Sequence, residues 1–168
     1  SAVEKLVNQD QVCAIIGCYG SSASLAALPV CEKNGVAMLE PIATAVALTS
    51  GSEWIFRISS TSDIDAEMVG PYLTTAGFTK VAYLPVDNDW GLSVTKSFIP
   101  VLEANGATTV TTQPVTLGET NYLSHLTKIK NSGADSIIVA QDIESCATLA
   151  RPMVEAGMTD FKVLSTGG

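Results

Sequence analysis

Three serines, Ser21, Ser22 and Ser24, follow a glycine-punctuated turn at the end of an apolar run. The run, residues 12–16, has the length and composition of a buried strand and stops at Gly17. Cys18, Tyr19 and Gly20 form a short loop of mostly small residues. Leu25, Leu28 and Cys31 then recur at helical spacing, which predicts a helix over 24–34 stopped by Asn34-Gly35. A strand turning directly into a helix gathers hydroxyls and unsatisfied N–H groups at one point of partial positive charge, suited to a carboxylate or phosphate. A second strand, 36–39, leads into Glu40-Pro41-Ile42-Ala43-Thr44 and is expected to bring Thr44 to the same edge. Each hydroxyl also has a plainer use: Ser21 or Ser22 as a helix N-cap, Thr44 bonded to its own backbone.

The elements that would position these groups alternate. Residues 1–8 read as the tail of a helix, and further strands are predicted at 54–58, 80–86, 108–113, 135–140 and 161–164. Helices are predicted at 63–76, 90–105, 121–132 and 145–156, with Gly70-Pro71 and Pro100 expected to kink or shorten two of them. Strands alternating with helices imply right-handed βαβ crossovers and parallel sheets, hence an α/β fold. The run Ser59-Ser60-Thr61-Ser62-Asp63 is the best boundary, dividing the chain into 1–59 and 60–168. The pattern opens inside a helix and ends on a strand and Gly167-Gly168, as a piece of a longer α/β chain would.

In such sheets ligands sit beyond the carboxyl ends of the strands. The residues there include Asp87, Asn88, Asp89 and Trp90 after one strand, Gln141, Asp142 and Glu144 after another, and Ser165 and Thr166 after the last. Hydroxyls, carboxylates and an aromatic without cationic side chains suit a zwitterion. Trp90 also reads as packing under a helix start, Asp142 as a helix cap, Asp87 and Asp89 as caps of the Trp90 helix, and Arg57 as a tether between halves.

Composition removes several classes. Nine Lys and Arg stand against 17 Asp and Glu, for a net charge of −8, and the cations are scattered, which argues against nucleic acid. Cys13, Cys18, Cys31 and Cys146 form no C-x-x-C pair and only one histidine, His125, is present, so a metal site is not expected. Cys13 and Cys31 fall at one edge of a strand–helix crossover, where either a disulfide or buried free thiols would fit. No G-x-S-x-G, P-loop or G-x-G-x-x-G signature occurs, so neither an enzyme nor a cofactor is expected. The first residues lack the basic start and apolar block of a signal peptide, as a mature or trimmed chain also would.

Five pieces carry a family resemblance: IIGCYGSS, GVAMLEPIATAVALT, WIFRISSTSD, VAYLPVDNDWGLS and GADSIIVAQDIESC. In that order and at those intervals the chain resembles the type I periplasmic ligand-binding proteins, in the leucine/isoleucine/valine-binding branch that serves ABC transporters. The resemblance implies part of a two-lobed clamp that closes on a small amino acid, located in the periplasm or outside the cell, with or without a lipid anchor, and delivering to a membrane permease. By position, Ser21 and Thr44, assisted by Ser22, match residues that hold the ligand's α-carboxylate. Ile42 and Ala43 fall where a backbone carbonyl takes the ammonium, Tyr19 lies in the same turn, and Trp90 falls where an aromatic covers the ligand. Asp142 stands where leucine-type binders have a tyrosine, and Gly167 where they have an acid, so the acid has moved to Asp142 or the ligand is not a plain branched-chain amino acid. Short amides or urea, a sensory domain of the same fold and an α/β enzyme are the competing readings. A partial lobe is also expected to leave apolar faces uncovered and to self-associate.

Overall fold

The computed structural model describes Ser1 to Thr166. The expectations attached to Gly167 and Gly168 lie outside the described residues. The chain divides into two compact units, Ser1–Ile64 and Asp65–Gly168.

The first unit begins with α1 (Ala2–Asn8), capped by Ser1 and Glu4 in a reciprocal capping box. Three parallel strands follow: β1 (Ala14–Ile16), β2 (Ala37–Glu40) and β3 (Ile55–Arg57), in the order β1-β2-β3. Between β1 and β2 runs α2 (Ser21–Asn34), closed by Gly35 in the left-handed conformation. Ile15, Met38 and Ile55 are aligned across the sheet and pack with Val3, Val7, Leu28, Cys31 and Leu48 into one core. The neighbouring row, Ile16, Leu39 and Phe56, is on the other face, where Ile16 is 78% and Phe56 57% exposed. All four cysteines are free, Cys31 being buried in this core and Cys13 exposed.

α3 (Ser62–Thr75) crosses the division of the chain. The second unit then holds β4 (Lys80–Pro85), α4 (Asp89–Ala104), β5 (Thr108–Thr112), α5 (Leu123–Asn131), β6 (Ser136–Ala140), α6 (Ile143–Glu155) and β7 (Lys162–Ser165). Its four parallel strands lie in the order β5-β4-β6-β7. β6 is buried throughout and β4 from Val81 onward, as strands covered on both faces must be. One face packs Val81, Tyr83 and Ile138 against Val94, Phe98 and Leu102 of α4. The other packs Ala82, Leu84, Ile137 and Val139 against Leu126 and Ile129 of α5 and Leu149 of α6.

Two expectations are corrected. α2 starts at Ser21, three residues earlier than the apolar spacing indicated, because Gly20, at φ 86°, serves as its N-cap without a side-chain bond. α3 and α4 are not shortened at Pro71 and Pro100 but run on past them. Both prolines are exposed, and the solvent side of a helix is where a ladder bond is most easily lengthened or lost.

Candidate functional site

In the first unit the carboxyl ends of β1 and β2 deliver two segments to one edge. The turn after β1 becomes the N-terminus of α2, and the loop after β2 carries Pro41 to Ala45. They meet where the Ala45 N–H donates to the Ser21 hydroxyl oxygen at 3.3 Å. Ser21 is buried in the first turn of α2, so its hydroxyl links the two segments rather than capping the helix.

Nearly every peptide group of this loop has a partner. Glu40, at 0% exposure, accepts the Ile42 N–H at 3.0 Å and the Ala43 N–H at 2.9 Å through Oε1, while its other oxygen accepts from the Ser24 hydroxyl. Arg57 works from the opposite polarity. It donates to the carbonyls of Ala43 at 3.1 Å and Ala45 at 2.8 Å, and to the Thr49 hydroxyl at 3.0 Å. Ser59 adds a second donor to the Ala43 carbonyl at 3.2 Å. The Thr44 carbonyl accepts the Ser62 N–H at 2.9 Å and its hydroxyl at 3.2 Å, and that hydroxyl also lies 3.3 Å from the Thr44 oxygen. Backbone groups must be satisfied somewhere. The Ile42 and Ala43 N–H groups, the Ala43, Thr44 and Ala45 carbonyls and the Ala45 N–H are thus engaged, whereas the Pro41 and Ile42 carbonyls and the Thr44 N–H are not among the bonded ends.

Burial pulls the Arg57 guanidinium below its ordinary value, against the opposing pull of Glu40 and Asp63. Burial pushes the Cys18 thiol up, and the Glu40 charge adds to it. The edge therefore sets a fully buried carboxyl, Glu40, beside a half-buried guanidinium, Arg57, and the bonds of both go to the loop. Arg57, expected as a tether between halves, spends its bonds on loop 43–49 within the first unit. Ala43, placed by resemblance at the ammonium, has its carbonyl taken twice over, by Arg57 and Ser59, whereas Ile42 is bonded through its N–H to Glu40. Thr44 bonds Ser62 rather than its own backbone. Ser22 lies beside Ser21 in the first turn of α2, and Tyr19 stands 74% exposed in the preceding turn.

In the second unit the strand order changes direction at β4 and β6, and a ligand crevice in an open parallel sheet forms at such a point. The Val86 N–H donates to the Ala140 carbonyl at 2.9 Å, so the two chains leave the sheet side by side there. One continues to Trp90 in the first turn of α4, half-buried against the unit's core. The helix cap is Asn88, bonded to the Gly91 N–H at 3.0 Å, and not Asp87 or Asp89. The other chain reaches Asp142, the N-cap of α6, which accepts the Ser145 N–H at 2.8 Å and its hydroxyl at 3.0 Å. The Ser145 backbone bond is the main reason its carboxyl sits below the ordinary value. Gln141 beside it is fully buried, with its side-chain N–H donating to the Leu84 carbonyl and its carbonyl oxygen unpartnered. The described residues contain no cluster of metal-ligating side chains.

Comparison with known proteins gives concordant matches. A family model described as periplasmic binding protein matches residues 1–168. The chain is 28% identical over 160 residues to a protein of Brucella melitensis named Leu/Ile/Val-binding protein homolog 3, covering 94% of this chain and 43% of the relative. A solute-binding protein of an ABC transporter from R. palustris, solved with 4-hydroxybenzoate, superposes with a TM-score of 0.87 at 24% identity over 98% of this chain and 45% of that one. A leucine-binding protein from Thermotoga maritima does so with a TM-score of 0.84 at 23% identity over 98% of this chain and 47% of that one. The chain thus spans less than half the length of the proteins it matches.

Proposed function

The chain belongs to the periplasmic binding protein family, and from that premise we propose that the protein is the solute-binding component of an ABC importer, acting outside the cytoplasmic membrane on a small neutral amino acid. The observation that carries this reading is the pair of opposed peptide ends in loop 41–45. An acceptor, the Ile42 carbonyl, and a donor, the Thr44 N–H, stand two residues apart, each backed through its neighbour by Glu40 or Arg57. An amino acid presents the complementary pair, an ammonium and a carboxylate joined through one carbon.

In this reading the Thr44 N–H and hydroxyl, the Ser21 hydroxyl and Ser22 at the start of α2 hold the carboxylate, and the Ile42 carbonyl takes the ammonium. The hydroxyl of Ser21 accepts from Ala45, so its own proton is left to donate. Its direction is reinforced from behind, because the same Ala45 peptide accepts at its carbonyl end, that of Thr44, from Ser62. A membrane permease receives the ligand, and binding and release, not bond chemistry, are the activity. A second reading, an aromatic carboxylic acid, has its support in the solved relative that holds 4-hydroxybenzoate. Such an acid would use the donors and leave the Ile42 carbonyl unpaired.

Thermal shift of the whole protein against the neutral L-amino acids and a set of hydroxybenzoates separates the two. A ligand at a hundred times its Kd adds about 2.7 kcal/mol of stability. A shift with an amino acid supports the proposal; a shift with the benzoates and none with any amino acid refutes it.

A further inference from the structure

We infer that Glu40 and Arg57 are a matched pair of positioning residues that tune two consecutive peptide groups of loop 41–45, one for a cation and the next for an anion, and so make the site select zwitterions over simple carboxylic acids. This rests on the amino-acid reading above and adds the basis of its selectivity.

The inference follows from which ends belong to one peptide. The Ile42 carbonyl and the Ala43 N–H are the two ends of a single planar group. Glu40 Oε1 accepts that N–H at 2.9 Å. A carboxylate at the N–H end draws the proton, shifts electron density toward the oxygen and makes the Ile42 carbonyl a stronger acceptor for an ammonium. The Ala43 carbonyl and the Thr44 N–H are the two ends of the next group. Arg57 Nη1 donates to that oxygen at 3.1 Å and Ser59 at 3.2 Å. A guanidinium at the oxygen end makes the Thr44 N–H a stronger donor for a carboxylate.

The polarities are ordered, not scattered. Glu40 and Arg57 are register partners on β2 and β3, so the sheet itself holds them side by side. Each bonds the loop rather than the other. Glu40 is fully buried, where the local dielectric is low and its influence along a hydrogen-bond chain is large. A loop that needed only mechanical support could be held by neutral side chains, as Ser59 and Ser62 hold their carbonyls. A simple acid such as a hydroxybenzoate gains from the Arg57 side only and meets at Ile42 a carbonyl made more negative.

The test is isothermal titration of the whole protein with a panel of neutral L-amino acids and their deaminated carboxylic acids. Wild-type protein that binds no amino acid overturns the reading on which the inference rests. If an amino acid binds, Glu40→Gln keeps an acceptor of the same shape and removes the charge. Its affinity for the amino acid should fall about fivefold to tenfold, the difference between a charge-assisted and a neutral bond. Affinity for the deaminated acid should stay within about twofold of wild type, since its bonds do not pass through Ile42. Equal losses for both ligands, or none for either, overturn the inference while leaving the amino-acid reading standing. Arg57→Lys should weaken both ligands in parallel and preserve their ratio; a changed ratio counts against the assignment. Should E40Q not fold, the Ala43 amide proton of the wild-type protein carries the test. It should resonate clearly downfield of the remaining loop amides, and an ordinary position overturns the inference.

Discussion

Gly91 in the first turn of α4 is the position at which one methyl group should do the most damage. A Cβ added there would lie 2.1 Å from the Val86 carbonyl oxygen, 3.0 Å from the Val86 nitrogen and 3.1 Å from Pro85 Cβ. The nearest obstacles are main-chain atoms of the β4 exit, where Val86 is itself bonded to Ala140. Restoring even a 3.0 Å separation requires the start of α4 to retreat by at least 0.9 Å. That retreat strains or breaks the Asn88 cap on the Gly91 N–H, which costs about 1 kcal/mol. Overpacking adds about 1–3 kcal/mol. The helix preference of alanine over glycine returns at most about 1 kcal/mol. Gly91→Ala should therefore destabilise by roughly 1–3 kcal/mol. In a unit of about 100 residues this lowers the melting temperature by roughly 5–20 °C. Trp90 is the adjoining residue, so its fluorescence in a Trp54→Phe background reports the displacement directly. Gly70 provides the control, because its added Cβ would meet the Val101 side chain, 2.5 Å away at Cγ1. Trimming Val101 to alanine should rescue Gly70→Ala, whereas no single trimming should rescue Gly91→Ala. A G91A protein melting within 3 °C of wild type, with unchanged Trp90 emission, would refute the reasoning.

Three further outcomes are expected. Ser21→Ala orphans the buried Ala45 N–H, costing about 1–3 kcal/mol of stability, and removes a proposed carboxylate donor; calorimetry should show affinity lost as well, and a stability loss with unchanged affinity would remove Ser21 from the site. For Asp135, burial pushes the carboxyl up, but bonds from Thr79, Ser136 and Lys80 together outweigh it and hold the folded value below the ordinary one. Its stabilisation is thus complete above the unfolded value of about 3.9 and is lost as pH falls through the lower folded value; Asp135→Asn should cost about 1–2 kcal/mol at pH 7, and its gap from wild type in melting scans should narrow progressively once the pH drops below the unfolded value; a constant gap would contradict this. Parallel sheets bury both faces, yet Ile16, Phe56 and Ile58 are 78%, 57% and 73% exposed, so the 168-residue chain expressed by itself should associate with further copies through this face; light scattering that shows a monomer at every concentration would refute it.

The fold was legible because its signals are local. Apolar runs of strand length, helix stops at Asn34-Gly35 and Gly157, and regular alternation are each written in neighbouring residues, and together they imply parallel βαβ layers. What failed also failed locally. The start of α2 is not written in its residues, because Gly20 caps through its backbone conformation and leaves no polar side chain to read. Asp87 and Asp89 looked like caps by residue type, but Asn88 between them has the extended backbone that points its side chain at the Gly91 N–H. The prolines of α3 and α4 looked like breakers because a sequence does not say which side of a helix faces water.

The candidate site was legible in its first layer only. Hydroxyls and a helix start after a strand announce an anion in any α/β chain, and Ser21 and Thr44 follow from that pattern. Glu40 and Arg57 do not, because they are 17 positions apart and share no motif. Only the register of β2 against β3 makes them neighbours. Their role becomes visible when each peptide of loop 41–45 is asked where its two polar ends go. Glu40 then stands behind the Ile42 carbonyl through the Ala43 N–H, and Arg57 behind the Thr44 N–H through the Ala43 carbonyl. A hydroxyl cluster by itself predicts a carboxylate. In the proposed reading the added requirement, that the same ligand carry a positive charge, comes from Glu40 and Arg57, and the comparison of amino acids with their deaminated acids is the test of it.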